Sequence, residues 1–197
     1  MIALSDHSHL TPEEYLAFEA TSDIRHEYVD GEVYAMAGGT GNHNLISLNC
    51  AMVLRNHLKG SGCLTYMSDM KVNVTNQRRF FYPDVLVTCD RRDDPAQTYL
   101  NFPKLIIEVL SPSTKNFDQS DKFLYYRTIP SLEEYLLVGT ESPFVQCFRR
   151  QTQDIWTVQI YEGLEAIAHL ESFDLDAPLK DLYEGVTWPA SPLPEAE

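Results

Sequence analysis

Polar and apolar positions along the chain follow helical spacing in some stretches and strand alternation in others. Thr11-Pro12-Glu13-Glu14 opens a helix: Thr11 can serve as N-cap, Pro12 fits the first helical position, and Glu14 completes a capping box. Residues 26–38 follow, with Asp30-Gly31 set between β-prone residues, a strong hairpin signal. Gly38-Gly39-Thr40-Gly41 lacks the Gly-Lys-Ser/Thr ending of a phosphate loop and leads instead into a helix capped near Asn42. That helix, His43 to Leu58, places Leu45, Leu48, Met52 and Val53 on one face, and Gly60 suits its stop.

Beyond Gly60 the spacing is that of strands. Residues 63–67 and 69–74 come first, the second with Met70, Val72 and Val74 alternating against Asp69, Lys71 and Asn73. Residues 84–89 and 104–110 follow, the latter nearly continuous in apolar residues, as in a central strand covered on both faces. A helix is expected over Asp118 to Arg127, then a strand over 134–139 and a closing hairpin turning at Gln151 to Gln153. This order predicts one α/β (α+β) domain over residues 1–188. Residues 189–197, with three prolines and two acids, are expected to fray.

Composition fits a globular domain, with 44% hydrophobic and 22% charged residues. No apolar run reaches the roughly 18 residues that span a bilayer, so no membrane partner is expected. The first residues show no basic start followed by an apolar stretch, and a cytoplasmic protein is expected. Cys50, Cys63, Cys89 and Cys147 lie scattered in apolar stretches and read as small hydrophobes. The six histidines have no paired ligand spacing, which argues against zinc.

The net charge of −14 argues at first against a polyanionic partner, but its distribution weakens the objection. Residues 1–41 hold one Arg against eight acids, and residues 151–197 hold one Lys against ten. Residues 42–150 carry thirteen Lys and Arg against eleven acids, so chemistry on an anion belongs there. The acidic ends are expected to cover a face away from that chemistry.

Two acids stand inside otherwise apolar strands: Asp84, ahead of Val85-Leu86-Val87, and Glu108, between Ile107 and Val109. A carboxylate there is costly unless it is paired or binds a metal. Side by side on neighbouring strands, the two could hold Mg²⁺, which takes oxygen ligands and keeps waters that a phosphate can replace. Alternatively, each acid caps a strand end or meets a nearby Lys or Arg.

Pro83-Asp84, then a strand with Ile107-Glu108-Val109, then a helix and a further strand, resembles the PD-(D/E)XK nuclease superfamily. The longer stretches 25–44, 82–89 and 105–138 resemble a restriction-endonuclease family abundant in cyanobacteria, over residues 10 to 185. The resemblance implies a restriction-endonuclease-like core, a mixed central sheet flanked by helices, with the N-terminal helix and hairpin as additions. It also implies that Asp84 and Glu108 bind Mg²⁺ (or Mn²⁺), with the backbone carbonyl of Val109 as a further ligand. The motif lysine should stand two residues after Glu108, where this chain has Leu110. In the similar family it has moved to the following helix, which makes Lys122 the third catalytic residue.

Lys122 also has a plain reading as a solvated partner of Asp118 at i,i+4, and Lys115 competes for the catalytic role. Asp69 and Glu27 are accessory-ligand candidates or surface acids. Lys71 and Lys104 are phosphate-contact candidates or exposed strand lysines. Tyr125 and Tyr126 read as core or rim aromatics. Three functions follow: a divalent-metal-dependent endonuclease hydrolysing DNA, a catalytically inactive nucleic-acid-binding module with the same fold, or a domain whose acids are purely structural. DNA is the expected partner, and cutting both strands of a duplex favours a homodimer.

Overall fold

The computed structural model describes residues 9–36, 38–93, 98–110 and 121–188. Helix α1 (Pro12–Glu19) starts at the expected capping box, with Glu14 Oε2 accepting the Thr11 N–H at 2.8 Å. Strands β1 (His26–Val29) and β2 (Glu32–Ala35) form the hairpin. Asp30 and Gly31 turn it with φ of 50° and 104°, the doubly positive geometry of a two-residue hairpin loop.

Two sheets meet in the middle of the chain, where the sequence reading anticipated one sheet and an added hairpin. The first runs β2, β1, β5 (Arg79–Phe81), β4 (Lys71–Val74), β7 (Tyr99–Leu100). The second runs β11 (Trp156–Glu162), β10 (Phe144–Arg150), β9 (Glu134–Gly139), β8 (Pro103–Leu110), β6 (Val85–Thr88), β3 (Leu64–Met67). It is mixed: β8 and β9 are parallel, and its other pairs are antiparallel. Tyr82-Pro83-Asp84 carries the chain from β5 in one sheet to β6 in the other.

Strand β8 is buried on both faces. Leu105, Ile107 and Val109 pack under α2 (Gly41–His57), beside the hairpin of β12 (Ile167–Leu170) and β13 (Leu175–Pro178) and the short helix α4 (Leu179–Leu182). Ile106 and Leu110 face the other way, toward Tyr126 in α3 (Phe123–Tyr126) and toward Ile129 and Leu132. Alternation along one strand thus serves two cores. No helix among the described residues is long and apolar enough to cross a membrane.

Helix α2 corrects two expectations. Its N-cap is Thr40, whose Oγ1 accepts the His43 N–H, rather than a residue near Asn42. Its buried face is Ile46, Ser47, Cys50, Ala51 and Leu54, while Leu45, Leu48 and Met52 are exposed. Small side chains at 47, 50 and 51 let the helix lie close on β8, which turns the larger apolar stripe outward. The cysteine reading also changes. Cys63 and Cys89 form a disulfide across the ends of β3 and β6, one step beyond the Leu64–Thr88 pair, whereas Cys50 and Cys147 are free and buried. The helix expected from Asp118 is described from residue 121 onward as a short turn leading into α3; Lys115, Asp118 and the tail 189–197 lie outside the described residues.

Candidate active site

Asp84 stands one residue ahead of β6. Continuing the Val85–Ile107 register by one step sets it opposite Glu108. Its Oδ2 accepts the Val109 N–H at 2.7 Å, which fixes the carboxylate against the backbone beside Glu108. Glu108 shares a face with Ile106 and Leu110, so it points toward α3. There its Oε1 accepts from Tyr126 Oη at 2.9 Å and from Lys122 Nζ at 3.1 Å.

Lys122 also meets Glu27 of β1, Nζ to Oε1 at 2.9 Å, with the Phe81 ring 5.7 Å away. The side chains of Glu27, Glu108 and Lys122 are 6%, 4% and 7% exposed. Carboxylates so deeply buried need paired charge and hydrogen bonds, and the lysine provides both to acids from two sheets. Burial, together with the charges of Glu108 and Glu27, holds the Tyr126 hydroxyl well above the ordinary tyrosine range. Tyr126 therefore stays a donor and holds Glu108 in orientation.

The first turn of α2 closes the other side. His43 Nε2 lies 3.2 Å from Asp84 Oδ2. A Cβ on Gly39 would stand 2.8 Å from His43 Nδ1, too close for the ring to keep its place. A glycine at 39 therefore makes room for this imidazole.

Asp84, Glu108, Val109 and Lys122 thus fall in one region, where Lys122 also engages Glu27. Glu27 belongs to the acidic N-terminal segment that was expected to face away from Lys122; it lies against it instead. Lys71 is buried and donates to Tyr82 Oη at 3.2 Å, contrary to an exposed strand lysine. Asp69 has an 80% exposed side chain paired with Arg25, and Lys104 lies 3.5 Å from Glu133. Tyr126 is fully buried, while Tyr125 stacks on Phe81 and carries the Arg79 guanidinium over its ring. His43 was missed because a single histidine has no spacing signal. The glycine four residues before it was the available clue.

Among the described residues, no three His, Cys, Asp or Glu side chains gather into a ready-made metal cage. The Asp84 and Glu108 carboxylates and the Val109 carbonyl offer hard oxygen donors of the kind Mg²⁺ or Mn²⁺ accepts. Mg²⁺ binds through one or two carboxylates and keeps several waters, so this donor set fits it better than a softer ion.

The same architecture occurs in the crystal structure of a putative nuclease belonging to DUF820 from Anabaena variabilis ATCC 29413. The two share a TM-score of 0.72 and 18% identity, over 90% of this chain and 99% of that one. Two uncharacterized proteins of Synechocystis sp. (strain ATCC 27184 / PCC 6803 / Kazusa) are closer in sequence. One, slr1290, is 37% identical over 91% of this chain and 94% of its own length. The other, sll1609, is 36% identical over 80% of this chain and 90% of its own. The Uma2 family, described as a putative restriction endonuclease, matches residues 12–180, and the chain belongs to that family.

Proposed function

We propose that the protein is a divalent-metal-dependent endonuclease that hydrolyses DNA phosphodiester bonds. The observation that carries this reading is the Asp84–Val109 hydrogen bond at 2.7 Å, which holds one acid beside another, Glu108, already gripped by Lys122 and Tyr126. Asp84, Glu108 and the Val109 carbonyl would hold Mg²⁺ or Mn²⁺. The bound ion would supply Lewis-acid polarisation of a phosphoryl oxygen.

The remaining work falls to the chain's own groups. Tyr126 and Lys122 donate to the same oxygen of Glu108 and so fix how that carboxylate presents itself. Lys122 brings a positive charge on a side chain almost closed to solvent, where charge developing on a phosphate is stabilised most strongly. It stands in for the lysine absent at position 110, where the buried apolar side chain of Leu110 lies on the same face of β8 as Glu108. His43 Nε2, 3.2 Å from Asp84 Oδ2, steadies that carboxylate.

Purified protein, mixed with supercoiled plasmid DNA and Mg²⁺ or Mn²⁺, should nick or linearise it, and the chelated sample should not. Asp84→Asn and Glu108→Gln should each abolish cleavage while leaving the fold intact by circular dichroism. A parent protein that shifts DNA in a gel yet cleaves none of several DNA and RNA substrates with any divalent ion would establish the binding-module function instead. The leucine at position 110 is the observation favouring that second reading.

A further inference from the structure

Outside the acids already described lies a second buried polar cluster: Glu19, His26, Lys71 and Tyr82, each 7% exposed or less. Glu19 is the last residue of α1, and its carboxylate is fully used. Oε1 accepts the His26 N–H at 3.0 Å and Tyr82 Oη at 2.8 Å, while Oε2 lies 3.0 Å from His26 Nδ1. Lys71 Nζ donates to Tyr82 Oη at 3.2 Å and brings the balancing charge. Tyr15, also in α1, donates to the His26 carbonyl at 2.7 Å.

The register shows why these partners matter. Strands β1 and β5 pair through Tyr28–Phe80, so His26 and Tyr82 stand opposite each other two steps further along the ladder. This is the end where the chain leaves the first sheet for the second. Glu27 is the residue after His26, and Asp84 lies two residues after Tyr82. The Tyr82 N–H itself approaches Glu27 Oε1 at 3.5 Å. One carboxylate therefore staples the open end of the ladder and grips the immediate neighbour of one site acid and the lead-in to another.

We propose that Glu19 is a positioning residue for the active site: through His26 and Tyr82 it sets the distance between Glu27 on one sheet and Asp84 with Glu108 on the other. Helix α1 is on this account part of the catalytic apparatus and not an ornament on the nuclease core. The inference rests on the metal-dependent reading above.

Tyr82→Phe removes one hydroxyl and leaves the ring in place; Glu19→Gln keeps the shape and removes the charge. Glu134→Gln serves as the control, since it breaks another buried pair, with Arg149 Nε at 2.9 Å, and Glu134 bonds Cys147, Glu171 and Ser172 in place of any of these acids. Mn²⁺ affinity is measured by calorimetry on variants shown to be folded, and cleavage is resolved into kcat and KM. Tyr82→Phe and Glu19→Gln should each weaken Mn²⁺ binding by about tenfold, the scale of losing a partner behind a metal ligand. Both should lower kcat with KM for DNA unchanged, while Glu134→Gln loses thermal stability but keeps the parent's Mn²⁺ affinity.

If Glu19→Gln does not fold, Tyr82→Phe carries the test alone. Folded variants that bind Mn²⁺ as tightly as the parent overturn the positioning role and leave the nuclease reading standing. A parent that binds no Mn²⁺ overturns the nuclease reading, and the positioning role with it.

Discussion

Lys122 Nζ stands 2.9 Å from Glu27 Oε1 and 3.1 Å from Glu108 Oε1, so one ammonium bridges acids carried by different sheets. Lys122→Ala should therefore do two things. It leaves two buried carboxylates without their shared cation, which should cost about 3 kcal/mol in urea unfolding. It should also lower DNA cleavage by about 10²- to 10⁴-fold, as losing a positioned proton-transfer or charge-stabilising group does. Mn²⁺ binding should persist, because both Asp84 and Glu108 remain. Adding Glu27→Gln to Lys122→Ala should recover part of the stability and none of the cleavage. Strictly additive losses in that double-mutant cycle would show the two residues uncoupled.

Gly39 and His43 make a paired prediction. His43→Ala should reduce kcat about tenfold by removing a partner of the Asp84 carboxylate. Gly39→Ala places a methyl group 2.8 Å from His43 Nδ1 and should push the ring away from Asp84. It should lower kcat in the same direction as His43→Ala. Gly38→Ala, with open space around its Cβ, should cleave like the parent.

The disulfide gives a stability prediction. Cys63 and Cys89 close a loop with a sequence separation of 26. Under oxidising conditions Cys63→Ser should lower the unfolding free energy by about 3 kcal/mol, and the gap should vanish in excess dithiothreitol. Equal stability of parent and variant without reductant would mean that the two sulfurs are not joined in solution.

Alkaline pH should unfold the protein cooperatively. Burial pushes Cys50 and Cys147 up to about 12, and burial with neighbouring carboxylates raises Tyr15, Tyr82 and Tyr126 above the ordinary tyrosine range. In the unfolded chain these groups ionise near 8.5 for Cys and 10 for Tyr. A raised folded pKa means the unfolded state releases its protons first. Their contribution is thus complete below pH of about 8.5 and is lost as pH climbs toward the folded values. Tyrosinate absorbance should rise in two stages, the second coinciding with loss of circular dichroism, and Tyr126→Phe should make that second stage smaller. A single smooth rise without loss of structure would contradict the buried placement.

Much of this architecture was legible in the residues because local rules acted unopposed. The Thr11 capping box, the Asp30-Gly31 turn and the doubly buried run at 104–110 depend on near neighbours in sequence. The face of α2 was misread because the large apolar side chains of Leu45, Leu48 and Met52 outweigh Ser47, Cys50 and Ala51 in any periodicity, whereas close packing on a sheet selects the small ones. Glu27 was already an accessory candidate in the sequence, but its place against Lys122, and that of His43 against Asp84, follow only from pairings between elements far apart in sequence. The Cys63–Cys89 bond likewise follows from the register of β3 against β6, which no spacing reveals.

The parallel pairing of β8 with β9 governs when, during synthesis, this site can exist. Parallel neighbours require a crossover, so β8 gains its second partner only after the chain has been made through residue 139. Glu27, Asp84 and Glu108 all emerge from the ribosome before Lys122, and β9, the parallel neighbour of the strand that carries Glu108, emerges after it. A nascent chain therefore carries the acids for some time without the cation that reconciles them. Low local stability over that interval is expected, and interrupted translation before β9 should yield a fragment that is degraded.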